Sequence, residues 1–230
     1  MTVRMGTYYR YLVAKKLNVP LNGNRVLDIG CYDGFLLSRI NARLKFGIDT
    51  DPVQIFPDIE YVQDDFLEHD FNGEQFDRIF ALDVIEHVKE DKTFIKKIEE
   101  LLASDGLAIL SVPSKTIKIF PSFLQQWVDK RWGHLYRRGY SLRQVDDLAK
   151  VTHQLEVTVI QWNCPVFRFL YLPISSLWRA SSSTAKLALN WIVNLDSKFQ
   201  EGNNGFLYII IEVKQHGERS GLSLSRQKQY

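Results

Sequence analysis

A chain of 230 residues with 45% apolar and 24% charged side chains has the composition of a globular protein with one sizeable core. A formal net charge of +2 argues against binding polyanions through overall charge, and two cysteines, Cys31 and Cys164, exclude a disulfide framework. Met1 to Gly6 lack the basic-then-apolar pattern of a secretory leader, so a reducing cytoplasm is the expected setting.

In chain order, residues 7 to 18 predict an amphipathic helix with an aromatic side of Tyr8, Tyr9 and Tyr11 beside Leu12. Strands are expected at 25–29, 44–48, 59–62, 76–82 and 107–112, with helices at 34–42 and 91–103. Such alternation predicts a parallel sheet with helices on both faces. The run Leu107 to Val112 suits a central strand buried on both sides. After Pro113 the alternation breaks. Residues 114–140 read as a lid-like insertion, Ser141 caps a helix to about 150, and 155–162 alternates like a strand. Residues 166–199 form an apolar helical cap, 206–213 a closing strand, and 214–230 a polar tail expected to be mobile. One domain therefore spans 1–213.

The stretch Val26-Leu27-Asp28-Ile29-Gly30-Cys31-Tyr32-Asp33-Gly34 reads as a buried strand that ends in an acid and turns through glycines into a helix. Open α/β sheets bind ligands at that end of their strands, and a glycine lets a ligand approach the backbone. A dinucleotide fingerprint would place glycines at 30, 32 and 35; Tyr32 and Phe35 stand there instead. The next strand ends in Asp49, placed to accept bonds from a ribose.

These residues resemble motif I of the class I S-adenosylmethionine (SAM)-dependent methyltransferases, D-x-G-x-G-x-G, with Tyr32 at the middle glycine. Gly47-Ile48-Asp49 resembles the family's second motif, and Tyr61-Val62-Gln63-Asp64-Asp65-Phe66 the segment that meets adenine. Phe76-Asp77-Arg78-Ile79-Phe80-Ala81-Leu82-Asp83-Val84-Ile85-Glu86-His87-Val88 is similar to F-D-x-[IV]-x-x-x-[DE]-V-[IL]-E-H. Leu101 to Gly106 resembles the turn before the fifth strand. The matches cover residues 26 to 113, in order, and point to a small-molecule branch similar to the ubiquinone-biosynthesis methyltransferases.

The resemblance implies a Rossmann-like sheet of seven strands, mostly parallel, with a helical cap, binding SAM and releasing S-adenosylhomocysteine. It places Asp28, Gly30, Cys31, Tyr32 and Gly34 around the methionine moiety and Asp49 and Thr50 at the ribose. Asp65 and Phe66 fall at the adenine, and Leu82 and Asp83 beneath the sulfonium. The Tyr32 ring must then point away from the ligand.

Methyl transfer from a sulfonium is an in-line displacement, promoted mainly by holding the reactants together. A base helps a hydroxyl acceptor lose its proton. His134, in the lid-like segment, and His87, just past the fourth strand, are the candidates; the alternative for the Glu86-His87 pair is structural support of its loop. No metal is expected: Asp83, Glu86, His87 and His134 resemble only loosely the E-x-x-E-H stretch of metal-binding branches, and no zinc-type cysteine spacing occurs.

Residues 115–143 set Lys115, Lys118, Lys130, Arg131, Arg137, Arg138 and Arg143 against the single acid Asp129 and interleave them with Phe120, Phe123, Trp127, Trp132, Tyr136 and Tyr140. That mixture suits an anionic acceptor, a phospholipid surface or a nucleic acid, or else an ordinary lid with its cations in water. In 166–199, Ala185, Ala188, Leu189, Ile192, Leu195 and Phe199 recur at helical spacing, with no uncharged apolar run of about 18 residues to span a membrane. This segment is read as a substrate cap or peripheral membrane contact, or alternatively as a homodimer interface or a helix pair covering the sheet. The expected activity is methylation of a small or lipid-like acceptor on oxygen, with no nucleic-acid partner. The alternatives are a non-catalytic SAM-binding scaffold and, last, a nucleic-acid methyltransferase.

Overall fold

A computed structural model describes residues 3–52, 56–132, 138–152, 155–202 and 205–213, the side chains of 129–132 and 213 excepted. His134 and the tail 214–230, with its expected mobility, lie outside the described residues. Seven strands form one sheet: β1 Arg25–Ile29, β2 Leu44–Asp49, β3 Glu60–Gln63, β4 Phe76–Leu82, β5 Leu102–Pro113, β6 Leu155–Asn163 and β7 Gly205–Val213. Their order is β3-β2-β1-β4-β5-β7-β6. Pairing is parallel from β3 through β5, and β7 runs antiparallel to both β5 and β6. The order reverses between β1 and β4, which opens a crevice beyond their carboxyl ends.

The period of two along each strand sorts side chains to two cores. Phe80, Ile109, Tyr208 and Ile210 face a layer of α1 (Met5–Lys16), α2 (Phe35–Ser38), α6 (Pro165–Ala180) and α7 (Ser182–Asp196). Their neighbours Ile79, Ala81, Leu110 and Ile209 face α3 (Asp91–Leu101) and α5 (Leu142–Ala149). In α3 the buried residues Phe94, Ile95, Ile98 and Leu101 fall on one helical stripe. Ser141 and Gln144 form a capping box that starts α5. A shorter helix, α4 (Gln125–Trp132), lies in the insertion after β5.

Three boundaries differ from the sequence expectation. The helix expected at 34–42 closes after Ser38. Asn22 Oδ1 accepts the Asn41 amide, and the Asn24 carbonyl accepts those of Arg43 and Leu44, so local polar groups outcompete the helix. The turn expected at 101–106 is a loop-out within β5: Phe76 pairs with Leu102 and Arg78 with Leu107, the residues between bulging. Residues 166–199 fold as a helical hairpin broken at Ser181, whose hydroxyl accepts the Thr184 amide at the start of α7.

α6 crosses the carboxyl edge of the sheet. It begins beyond the end of β6, and its Trp178 Nε1 donates to the Val3 carbonyl at 2.9 Å, beside the turn after β1. Its sixteen residues extend about 24 Å, enough to pass four strand spacings of about 4.8 Å.

Candidate active site

The turn after β1 is built on left-handed backbone. Gly30, Tyr32 and Gly34 have φ of 69°, 50° and 70°. A side chain at Gly30 would meet Val84 Cγ2 at 2.5 Å, so only glycine fits between this turn and the one after β4. The Gly30 and Cys31 amides both donate to the Ile48 carbonyl, at 2.8 and 3.3 Å, which ties the turn to β2. Tyr32 takes the conformation a glycine would adopt, and its ring lies under the Arg4 guanidinium, 3.4 Å from the ring centroid.

Asp49 joins the two turns. Its Oδ2 accepts the Tyr32 amide at 2.8 Å and its Oδ1 the Asp51 amide at 3.0 Å. Asp28 is buried behind it; burial, reinforced by Asp49 and Asp33, lifts its carboxyl well above the usual range. Burial and the two neighbouring acids thus favour the protonated form of Asp28 over the charged one. Asp33 Oδ1 accepts the Phe35 amide at 3.0 Å, starting α2, while its buried Oδ2 has no partner. Cys31 is buried, and burial holds its thiol protonated, so it offers shape and no nucleophile.

Thr50 is exposed, and its carbonyl accepts Gln63 Nε2 at 3.2 Å. Asp65 is exposed and its Oδ1 accepts the Leu67 amide at 2.8 Å, shaping the turn after β3. Phe66 is turned inward, its ring 4.8 Å from that of Phe94 and 5.9 Å from that of Phe71. Of the two residues expected at an adenine, then, Asp65 faces solvent and Phe66 faces the core.

Past β4, Asp83 is left-handed, with φ 57°. Its amide donates to the Ser111 carbonyl and the Ser111 hydroxyl donates to its Oδ1, each at 2.9 Å. Its Oδ2 is ion-paired with Arg10 of α1. Leu82 is half-buried beside it. Glu86 is fully buried and neither carboxylate oxygen has a hydrogen-bond partner; burial pushes its pKa up to about 7 against the pull of Arg10. His87 is half-buried at the end of the 3-10 turn Ile85–His87.

Sequence reasoning missed Arg4, Arg10 and Ser111, and with them a second buried network. Trp162 Nε1 donates to the Tyr9 hydroxyl at 3.0 Å, and that hydroxyl donates to Asp196 Oδ2 at 2.9 Å. Asp196 also accepts the Val166 and Phe167 amides at the start of α6, at 2.8 and 3.3 Å. Burial lifts its pKa to about 6 despite those bonds. This network fastens α1, α6, α7 and β6 together. No local pattern announces it, because each member comes from a different element.

Chemically, the crevice at the β1–β4 switch offers a close backbone approach, a half-buried carboxylate on Asp49, a buried Asp33 oxygen without a hydrogen bond and the buried acid Asp28. Those are the groups that fit a ligand with ribose hydroxyls and an amino-acid moiety.

A family profile described as a methyltransferase domain matches residues 4–161. The chain is 32% identical over 180 residues to a ubiquinone biosynthesis O-methyltransferase of Bradyrhizobium diazoefficiens, covering 70% of this chain and 68% of that one. It is also 32% identical over 114 residues to the protein of that name from Azorhizobium caulinodans, 44% of this chain and 45% of that one. The chain spans about half the length of some curated relatives, 45% and 56% in two of them. Its fold is similar to that of Haemonchus contortus phosphoethanolamine N-methyltransferase 2 in complex with S-adenosyl-L-methionine: TM-score 0.59, 18% identity, 90% of this chain and 52% of that chain. At that identity the likeness concerns fold alone. The matched span runs from Arg4 over the Tyr32 ring, through the glycine turn and Asp83, into β6, and so takes in the whole crevice. The chain belongs to the methyltransferase-domain family, within the class I SAM-dependent methyltransferase superfamily.

Proposed function

We propose that the protein transfers a methyl group from SAM to an oxygen of a small or lipid-like acceptor, with S-adenosylhomocysteine as product. The observation that carries this reading is the Tyr32–Asp49 tie. Although a tyrosine replaces a glycine, the backbone keeps a glycine-type φ of 50° and the amide stays bound to Asp49 at 2.8 Å. The glycine turn therefore retains its shape, with the ring held aside by Arg4.

In this reading Asp28, Gly30, Cys31, Tyr32 and Gly34 surround the methionine moiety, and Asp49 and Thr50 bind the ribose. Asp65 and Phe66 border the adenine, and Leu82 and Asp83 lie beneath the sulfur. The bound cofactor supplies an electrophilic methyl carbon. The chain holds the acceptor oxygen in line with it, keeps water out under α1 and α6, and takes the hydroxyl proton. His87 and His134 remain the proposed bases. Methylation on oxygen is supported by the names of the relatives at 32% identity.

Among the described residues no helix is long and apolar enough to cross a membrane. A lipid-like acceptor would be met from the surface, at a cytoplasmic membrane face, and the exposed Phe169 near the start of 166–199 supports peripheral contact.

The test is incubation with methyl-labelled SAM and a panel of catechol and polyprenyl-phenol acceptors. Labelled ether product, lowered roughly 10²-fold or more in His87→Ala or His134→Ala, is expected. Label transferred only to nitrogen acceptors, or to none, contradicts the reading.

A further inference from the structure

Four aromatic side chains in two separate elements stand in solvent. Phe123 is 80% exposed, Phe169 57%, Phe120 56% and Trp127 53%. Phe120 and Phe169 stack on each other, with centroids 4.9 Å apart. The two elements are clamped in both directions: the Phe120 amide donates to the Arg168 carbonyl at 3.1 Å, and Arg168 Nε donates to the Lys118 carbonyl. The Ile119 amide donates to Gln125 Oε1 at 2.7 Å, which fixes the start of α4. Phe123 and Trp127, four apart on the turn entering α4, fall on one side of it. Buried Ile117, Ile119 and Val128 anchor the segment from beneath. The sequence thus spends its small apolar residues inside and leaves its large rings outside, the reverse of an ordinary lid.

Charge identifies what covers this surface. Lys115 and Lys118 are exposed at its margin, and residues 114–128 contain no acid. An isologous contact with a second copy would bring the same two lysines of each copy onto one small patch, like charge near like. Binding to a nucleic acid would require cations spread along a backbone track, whereas the exposed cations here, among the described residues, are two lysines at the margin of a cluster of rings. Rings at headgroup depth with lysines beside them match an anionic phospholipid leaflet.

We propose that the surface of Phe120, Phe123, Trp127 and Phe169, flanked by Lys115 and Lys118, docks the protein onto an anionic bilayer. The surface adjoins the carboxyl end of β5 and the start of α6, so docking sets the mouth of the crevice against the membrane. The inference rests on the lipid-like-acceptor reading above, and it places the contact there and not on the outer face of α7.

Flotation with phosphatidylcholine vesicles, with and without phosphatidylglycerol, tests it on the full chain. Binding is expected to the anionic vesicles, to weaken with salt, and to fall about fivefold for each lysine removed, as in Lys115→Gln and Lys118→Gln. Phe123→Ser with Trp127→Ser should lower it at least about tenfold. Leu187→Ser with Trp191→Ser, on α7, should leave it unchanged. Calorimetric binding of S-adenosylhomocysteine, measured on every variant, reports folding and tests the methyltransferase reading separately. No vesicle binding by a protein that binds S-adenosylhomocysteine would overturn the docking surface alone. So would loss only in the α7 variant, dimerisation through the patch, or binding of single-stranded RNA in place of vesicles.

Discussion

Asp83 shows how much one residue can join. Its left-handed backbone follows β4, Ser111 of β5 binds one carboxylate oxygen, and Arg10 of α1 binds the other. Arg10→Met leaves two carboxyls, Asp83 and Glu86, without their cation. Because the Arg10 and Asp83 side chains are still 16% and 14% exposed, the cost falls below that of a sealed pair, at about 2–3 kcal/mol by urea unfolding. An unchanged midpoint would mean the pair is idle. Glu86 gives a pH signature. Its folded pKa of about 7 stands above the ordinary value of 4.5, so its contribution is fully present below pH 4.5 and disappears as pH rises through 7. Glu86→Gln should therefore flatten the stability–pH curve between those values, gaining a few kcal/mol on the wild type at pH 8 relative to pH 4. Parallel curves would show that Glu86 titrates normally. The acids at the strand ends were legible in sequence because strand, turn and acid are contiguous. Arg10 was not: it occupies one polar position in a helix, and its partner lies on another element far along the chain.

At the scale of elements, α1 is held from three sides: by Arg10 on the β4 turn, by Tyr8 between Phe35 and Trp178, and by Tyr9 on Asp196. Tyr9→Phe would leave the Trp162 indole and Asp196 short of a partner, and should cost about 1–3 kcal/mol, read as a fall in unfolding temperature. A fall no larger than that of a half-buried tyrosine outside the network, Tyr11→Phe, would contradict it. The periodicity of 166–199 marked Ala185, Leu189 and Ile192 as an inward face, and all three are buried. It also counted Phe199, which lies past the end of α7 and is 54% exposed. The break at Ser181 was hidden because serine is tolerated within helices as well as at their caps. The short α2 was hidden because its competitors, Asn22 and Asn24, precede β1 and reach it only in three dimensions.

Across the whole molecule, the sheet gathers its chemistry at one edge. The turns after β1 and β2, the Asp83 turn, α1 and the crossing helix α6 all meet at the carboxyl ends of the strands, where the order of strands reverses. The alternation of strands and helices announced this architecture, since each parallel crossover needs a helix of its own. What covers the edge comes from the insertions after β5 and β6, whose sequences carry composition but no pattern of placement. The central claim is that the edge binds SAM in spite of Tyr32, and calorimetry with S-adenosylhomocysteine tests it most directly. The wild type should bind it at micromolar concentration, with binding lost in Asp49→Ala and kept in Tyr32→Gly. A folded wild type that takes up no S-adenosylhomocysteine, while Tyr32→Gly does, would show that the tyrosine closes the crevice and would leave a scaffold in place of an enzyme.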